Sequence, residues 1–211
     1  LDTTGLTLTL NYSNGTTKDV TDGFYVGWFD PWMYGTQSVF VEYEGYSTFF
    51  DVTVIGATGL SVKTLPEKTE YFRGEYIDTK GLTLTVSYSN GTTKDITDGF
   101  YIDWFDSYMT GVQTVNVSYE GMMTSFEVTV INGGYCGDNL TWVYDEMTGV
   151  LTISGTGAMS DWSSPWYEWS HSITSVVIEE GVTNIGANAF ASFYNLSTVS
   201  IPESVTYIGA S

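Results

Sequence analysis

The chain holds one histidine, His171, and one cysteine, Cys136. A Ser/His or Cys/His nucleophile and base pair would have to use His171, which sits in a Ser- and Trp-rich stretch without an activating motif. His171 therefore reads as a polar loop residue, and no catalytic residue is assigned. Structural zinc needs several Cys or His ligands at fixed spacing, and Cys136 has no second cysteine for an intrachain disulfide. Carboxylates are plentiful, but a glycosidase needs two held about 5 to 10 Å apart across a cleft, which small sandwich repeats do not offer. Asp19 with Asp22, or Asp138 with Asp145, could hold calcium through oxygen ligands, yet no loop has a dedicated calcium pattern. No metal or cofactor is expected. What remains is aromatic chemistry, above all Trp32, Tyr34, Phe40 and Phe49, whose rings could stack on a sugar or anchor a protein contact.

The elements that must carry those rings follow from composition and periodicity. With 211 residues, 42% of them hydrophobic and 16% aromatic, the chain can bury cores despite a net charge of −19. All six Lys and Arg lie at or before Lys94. Such a charge repels nucleic acid and anionic headgroups, since affinity for both rests on cationic contacts. No run of 18 apolar residues exists, so no membrane insertion is expected in this segment. Leu1 to Gly5 has neither a charged n-region nor an apolar h-region, so the chain is expected to be cytosolic or already without its export signal.

A shift of 76 positions lays residues 1–55 on 77–131 without a gap, and 37 of the 55 pairs are identical. Within each copy the period is two: Leu82, Leu84, Val86 and Tyr88 alternate with polar residues, as do Val115, Val117 and Tyr119, and Phe126, Val128 and Val130. Ser13-Asn14-Gly15-Thr16 and Glu44-Gly45, with their counterparts in copy two, mark hairpin turns. Keeping Val20 on the face of Leu8 and Leu10 requires an odd-length first loop, with Gly15 left-handed. A two-residue turn at Glu44-Gly45 sets Phe40 opposite Phe49, both turned away from the core of Val39, Val41 and Phe50. Copy two has Asn116 and Ser125 there, and Ser107-Tyr108-Met109-Thr110 where copy one has Pro31-Trp32-Met33-Tyr34. Three readings compete for this patch: contact with a neighbouring domain or an absent strand, stacking on a glycan, and a protein-partner hot spot. Trp28 and Trp104 read as core or sandwich-edge residues.

After Ile131, Asn132-Gly133-Gly134 reads as a linker that breaks the pattern. Leu140, Trp142 and Tyr144, a turn at Glu146 to Gly149, and Leu151 with Ile153 read as a hairpin. A 23-residue period follows: Ile173, Val176, Ile178, Val182 and Ile185 recur as Leu196, Val199, Ile201, Val205 and Ile208. Repeats of this length that open on a short apolar strand predict a leucine-rich solenoid, with Gly186 to Asn195 as its short helix. Trp162, Trp166 and Trp169 are expected in the cap core rather than on a sugar platform.

The run Gly59-Leu60-Ser61-Val62, Leu65-Pro66-Glu67, Trp104-Phe105-Asp106, Gly111-Val112-Gln113 and Tyr119-Glu120-Gly121 resembles the bacterial immunoglobulin-like family, group 3. Cys136-Gly137-Asp138-Asn139-Leu140, Pro165-Trp166-Tyr167 and Ile185-Gly186-Ala187-Asn188-Ala189-Phe190 resemble the cap and first repeats of BspA-type leucine-rich repeat surface proteins, with Phe193 where that family usually has a cysteine. The expected fold is mainly β: two immunoglobulin-like sandwiches in tandem (1–57, lacking its opening strand, and 58–132), then a capped, truncated solenoid (133–211). About one and two-thirds solenoid units are present, so the native protein is expected to continue. The resemblance implies a non-enzymatic, monomeric, extracellular protein, on a bacterial surface or secreted, that adheres to a host or cell-surface protein or glycan. A carbohydrate-binding accessory region of a secreted polysaccharide-degrading enzyme and a pure spacer are the alternatives.

Overall fold

The computed structural model describes residues 1–161 and 164–210. Trp162 lies outside the described residues. Two compact units divide the chain, one of Leu1–Leu60, Thr85–Asp95 and Glu120–Met122, the other of Ser61–Leu84, Ile96–Tyr119 and Met123–Ser211.

In copy one, β1 (Leu8–Asn11) pairs antiparallel with β2 (Thr17–Val20), and Leu8 faces Val20. The odd-length loop expected between them closes through the Tyr12 N–H donating to the Thr16 carbonyl (2.9 Å), with Gly15 at φ 80°. A second sheet orders β3 (Tyr25–Val26), β4 (Gly35–Tyr43) and β5 (Tyr46–Val54). Glu44 (φ 50°) and Gly45 (φ 83°) form the two-residue turn, whose left-handed backbone matches the twist of the strands it joins.

Copy two contributes strands to two sheets. One sheet holds β6 (Ala57–Thr64), β8 (Thr83–Tyr88) and β9 (Thr93–Ile96); the other holds β10 (Tyr101–Ile102), β11 (Gly111–Tyr119) and β12 (Met122–Gly137), with β7 (Glu70–Phe72) parallel to β12. Burial follows the period of two: Leu84 and Val86 of β8, Val115 and Val117 of β11, and Phe126, Val128 and Val130 of β12 are all buried. In copy one, β1 has β2 as its described sheet partner, whereas β8 lies between β6 and β9. Leu8 and Leu10 are accordingly only half-buried, while Leu84 and Val86 are fully buried. Phe50, expected in the core, is likewise half-buried and lines a groove of about 340 Å³ with Leu6, Leu8 and Leu10.

The third module corrects two expectations. Asn132, Gly133 and Gly134 do not interrupt the strand: β12 runs on, and these residues pair with Tyr144, Val143 and Trp142 of β13 (Leu140–Asp145). The ladder then passes from β14 (Val150–Gly155) to β16 (Ser175–Ile178) and β18 (Thr198–Ser200), while β15 (Gly157–Ala158), β17 (Val182–Ile185) and β19 (Tyr207–Ile208) form a second ladder. Ser175 opposite Thr198 and Asn184 opposite Tyr207 are each 23 residues apart, so the sequence period is the register of the solenoid. Residues 186–195 form a series of turns and not a helix. Asn188 (φ 59°) and Ser192 (φ 68°) are left-handed, which stops helical hydrogen bonding from propagating.

Trp166 is fully buried among Leu140, Trp142, Leu151, Ile153 and Ile173, and its indole N–H donates to the Ala189 carbonyl (2.9 Å). Trp169 packs on Trp142 and Tyr144 at ring-centroid distances of 5.5 and 5.8 Å. Both belong to the cap core. The first solenoid unit buries Ile173, Val176, Ile178, Val182 and Ile185, whereas Val199, Ile201 and Ile208 of the second are exposed.

Candidate ligand-binding face

The register of β4 on β5 places Phe40 directly opposite Phe49, with their rings edge to face at 5.6 Å. Phe49 is 63% exposed and Phe40 half-buried. The row continues onto the chain just beyond β3, where the Gly27 N–H donates to the Phe40 carbonyl (2.7 Å) and a Cβ on Gly27 would stand 3.2 Å from Phe40 Cβ. Gly27, Phe40 and Phe49 thus form an apolar row across the sheet, next to Tyr25, which is exposed and faces Glu42. The corresponding residues of copy two are Asp103, Asn116 and Ser125, all polar, with the Asp103 N–H donating to the Asn116 carbonyl (2.9 Å). A whole row changes character between two otherwise closely similar modules.

Trp32 and Tyr34 stand on a loop that side-chain hydrogen bonds hold in shape. Gln37 accepts from the Asp30 N–H (2.8 Å) and donates to the carbonyls of Asp30 (2.6 Å) and Met33 (2.8 Å). The Asp30 carboxylate accepts from the Trp32 N–H (2.9 Å). Copy two repeats the brace with Gln113, Asp106 and Met109. Sequence reading passed over Gln37, although its signal was there: Asp and Gln stand seven apart in both copies. Trp32 is 85% exposed at the tip, whereas Tyr34 lies so close to Gly56 that a Cβ there would overlap its ring. The structure therefore joins Phe40 to Phe49 and gives Trp32 and Tyr34 a loop of their own.

Trp28 and Trp104 are 79% and 76% exposed, which excludes the core half of their expected role. They follow the short strands β3 and β10, each the end strand of its sheet, paired with β4 and β11 respectively. His171 is exposed and stacks on Tyr194 at 6.3 Å. Cys136 is buried, and burial pushes its thiol up to about 11. Asp145 is held below the ordinary carboxylate range, first by the Thr148 hydroxyl and then by the Met147 N–H, so its oxygens serve the β13–β14 turn. The Asp19 carboxylate accepts from the Thr9 hydroxyl (2.8 Å). Among the described residues, no helix is long and apolar enough to cross a membrane.

Comparison with known proteins agrees with this architecture. Residues 64–130 match the bacterial Ig-like domain (group 3), and residues 161–211 match the BspA type leucine-rich repeat region. Each match covers less than half of the chain. Both are non-catalytic module types of bacterial surface or secreted proteins. Pectate lyase L of Thermoclostridium stercorarium is 33% identical over 94 residues, covering 43% of this chain and 8% of the lyase. An exo-beta-1,6-galactobiohydrolase of Bifidobacterium longum subsp. longum is 36% identical over 94 residues, covering 41% of this chain and 6% of that enzyme. The chain thus spans less than a tenth of either relative. A leucine-rich repeat protein from Eubacterium ventriosum, known from its crystal structure, is 38% identical over 37% of this chain and 22% of its own, with a TM-score of 0.35.

Proposed function

We propose that the chain is a non-enzymatic adhesion region of a surface or secreted protein, in which Ig-like modules present a leucine-rich repeat recognition domain and the first module adds a contact face of its own. The observation that carries the reading is the row Gly27, Phe40 and Phe49, apolar and outward where copy two is polar. A core explains neither its exposure nor its difference from copy two. Exposed aromatic area of this kind is a contact surface for a protein or a glycan. The net charge of −19 argues against polyanionic ligands.

The two enzyme relatives support a second reading, an accessory region that holds a larger enzyme on its polysaccharide. An array of neutral polysaccharides, mucin and extracellular-matrix proteins, probed with the whole chain, separates the two. Retention by proteins or mucin supports adhesion. Retention by plain polysaccharide alone supports the accessory role, and retention by nothing leaves a spacer and defeats the proposal.

A further inference from the structure

Residues Ser61–Leu84 and Ile96–Tyr119 of the second Ig-like module share one compact unit with the solenoid cap, and their junction is covalently and laterally continuous. Strand β12 belongs to both: Thr129 to Ile131 pair with β7, and the next three residues pair with β13. At the crossing point Gly133 has no room for a side chain, since a Cβ would come within 2.6 Å of the Phe72 ring and 2.8 Å of the Trp142 carbonyl. Phe72 then meets Tyr135 edge to face at 5.5 Å, and the Asn132 side-chain amide donates to Glu146 in the β13–β14 turn (2.8 Å).

Arg73 fastens the outer side. Its N–H donates to the Ile131 carbonyl (3.0 Å), which ties it to β12. Its guanidinium lies between two rings, 5.8 Å from the centroid of Tyr108 in the Ig-like module and 5.7 Å from that of Trp169 in the cap. One terminal nitrogen, Nη1, reaches both carboxylate oxygens of Glu168, at 3.2 and 3.1 Å. The Gln113 brace holds the loop that carries Tyr108, and Trp169 is seated on Trp142 in the cap core. A planar cation between two aromatic faces, bonded to a carboxylate, resists sliding and twisting together; a lysine could supply the charge but not the plane. The crevice of about 250 Å³ at this point has its cation and its carboxylate committed to each other, which makes it a joint and not a ligand pocket.

We infer that Arg73 is the pin of a rigid joint, so that β7, β10 and β11 of the second Ig-like module move as one body with the solenoid cap and hold it at a fixed angle. Residual dipolar couplings on the whole chain test this, with amides of β11 reporting on the Ig-like module and those of β13, β14 and β16 on the cap. In the native chain one alignment tensor should fit both sets. Arg73→Ala and Arg73→Lys should each require two tensors, while amide shifts away from the joint stay unchanged and show that both modules remain folded. Glu168→Ala, at an exposed position, provides the same separation should an Arg73 variant fail to fold. Two tensors in the native chain would overturn the inference, and so would a single tensor that survives all of these substitutions.

Discussion

Trp166 shows how one side chain can decide a module. It is fully buried, touches both the hairpin and the first solenoid unit, and satisfies its N–H on Ala189. Trp166→Ala should lower the stability of the third module by about 3–5 kcal/mol, as for other large aromatic truncations, measured by urea unfolding. Trp166→Phe should cost less, because it keeps most of the volume and loses chiefly the hydrogen bond. Cys136 makes a pH prediction. Its folded thiol is pushed up to about 11, above the roughly 8.5 of an unfolded cysteine. Across that interval the unfolded chain has released a proton that the folded chain still holds, so stability falls as pH rises. The contribution is complete below about pH 8.5 and lost towards pH 11. Melting curves from pH 8 to 11 should therefore fall more steeply for the native chain than for Cys136→Ala. The four aromatic residues singled out in the sequence divide by environment. Pairing arithmetic across a two-residue turn was enough to place Phe40 against Phe49. Tyr34 on Gly56 was not legible, because it depends on two loops meeting without any repeating pattern.

At the scale of elements, strands and turns were legible wherever period two or a Gly turn imposed them, and the 23-residue period reappeared as a ladder offset. Two elements were not. Gly133 and Gly134 carry the composition of a linker, yet their missing side chains are what let Phe72 and the Trp142 side of β13 approach a continuing strand. Residues 186–195 carry the repeat's pattern for a helix, but two left-handed residues divide them into turns. Gly133→Ala should consequently destabilise the chain rather than stiffen it, lowering the melting temperature by several degrees. The difference between copies yields another expectation. Hydrogen exchange should be markedly slower in β8, paired on both sides, than in β1, which pairs with β2 beside an open groove. Equal protection in the two strands would mean that β6 adds nothing to the stability of its sheet.

For the whole molecule, the mainly-β fold class rests on one feature: a repeat-built, acidic chain in which several of the described polar groups serve turns and joints. Asp30, Asp106 and Asp145 accept from nearby backbone N–H groups, and Gln37 and Gln113 brace loops. Among the described residues, the apolar row of copy one is a surface that the fold does not require, since copy two is polar there. Because copy two keeps its fold with polar residues in that row, exchange of residues between the modules separates recognition from stability. The most direct measurement compares array binding of the native chain with that of the double variant Phe40→Asn and Phe49→Ser, which installs copy-two residues on copy one. Melting temperatures should agree within a few degrees, while binding to whichever ligand retains the native chain should weaken at least about tenfold, as for loss of a central aromatic anchor. Undiminished binding by the double variant would contradict a contact face on the first module and move recognition to the solenoid.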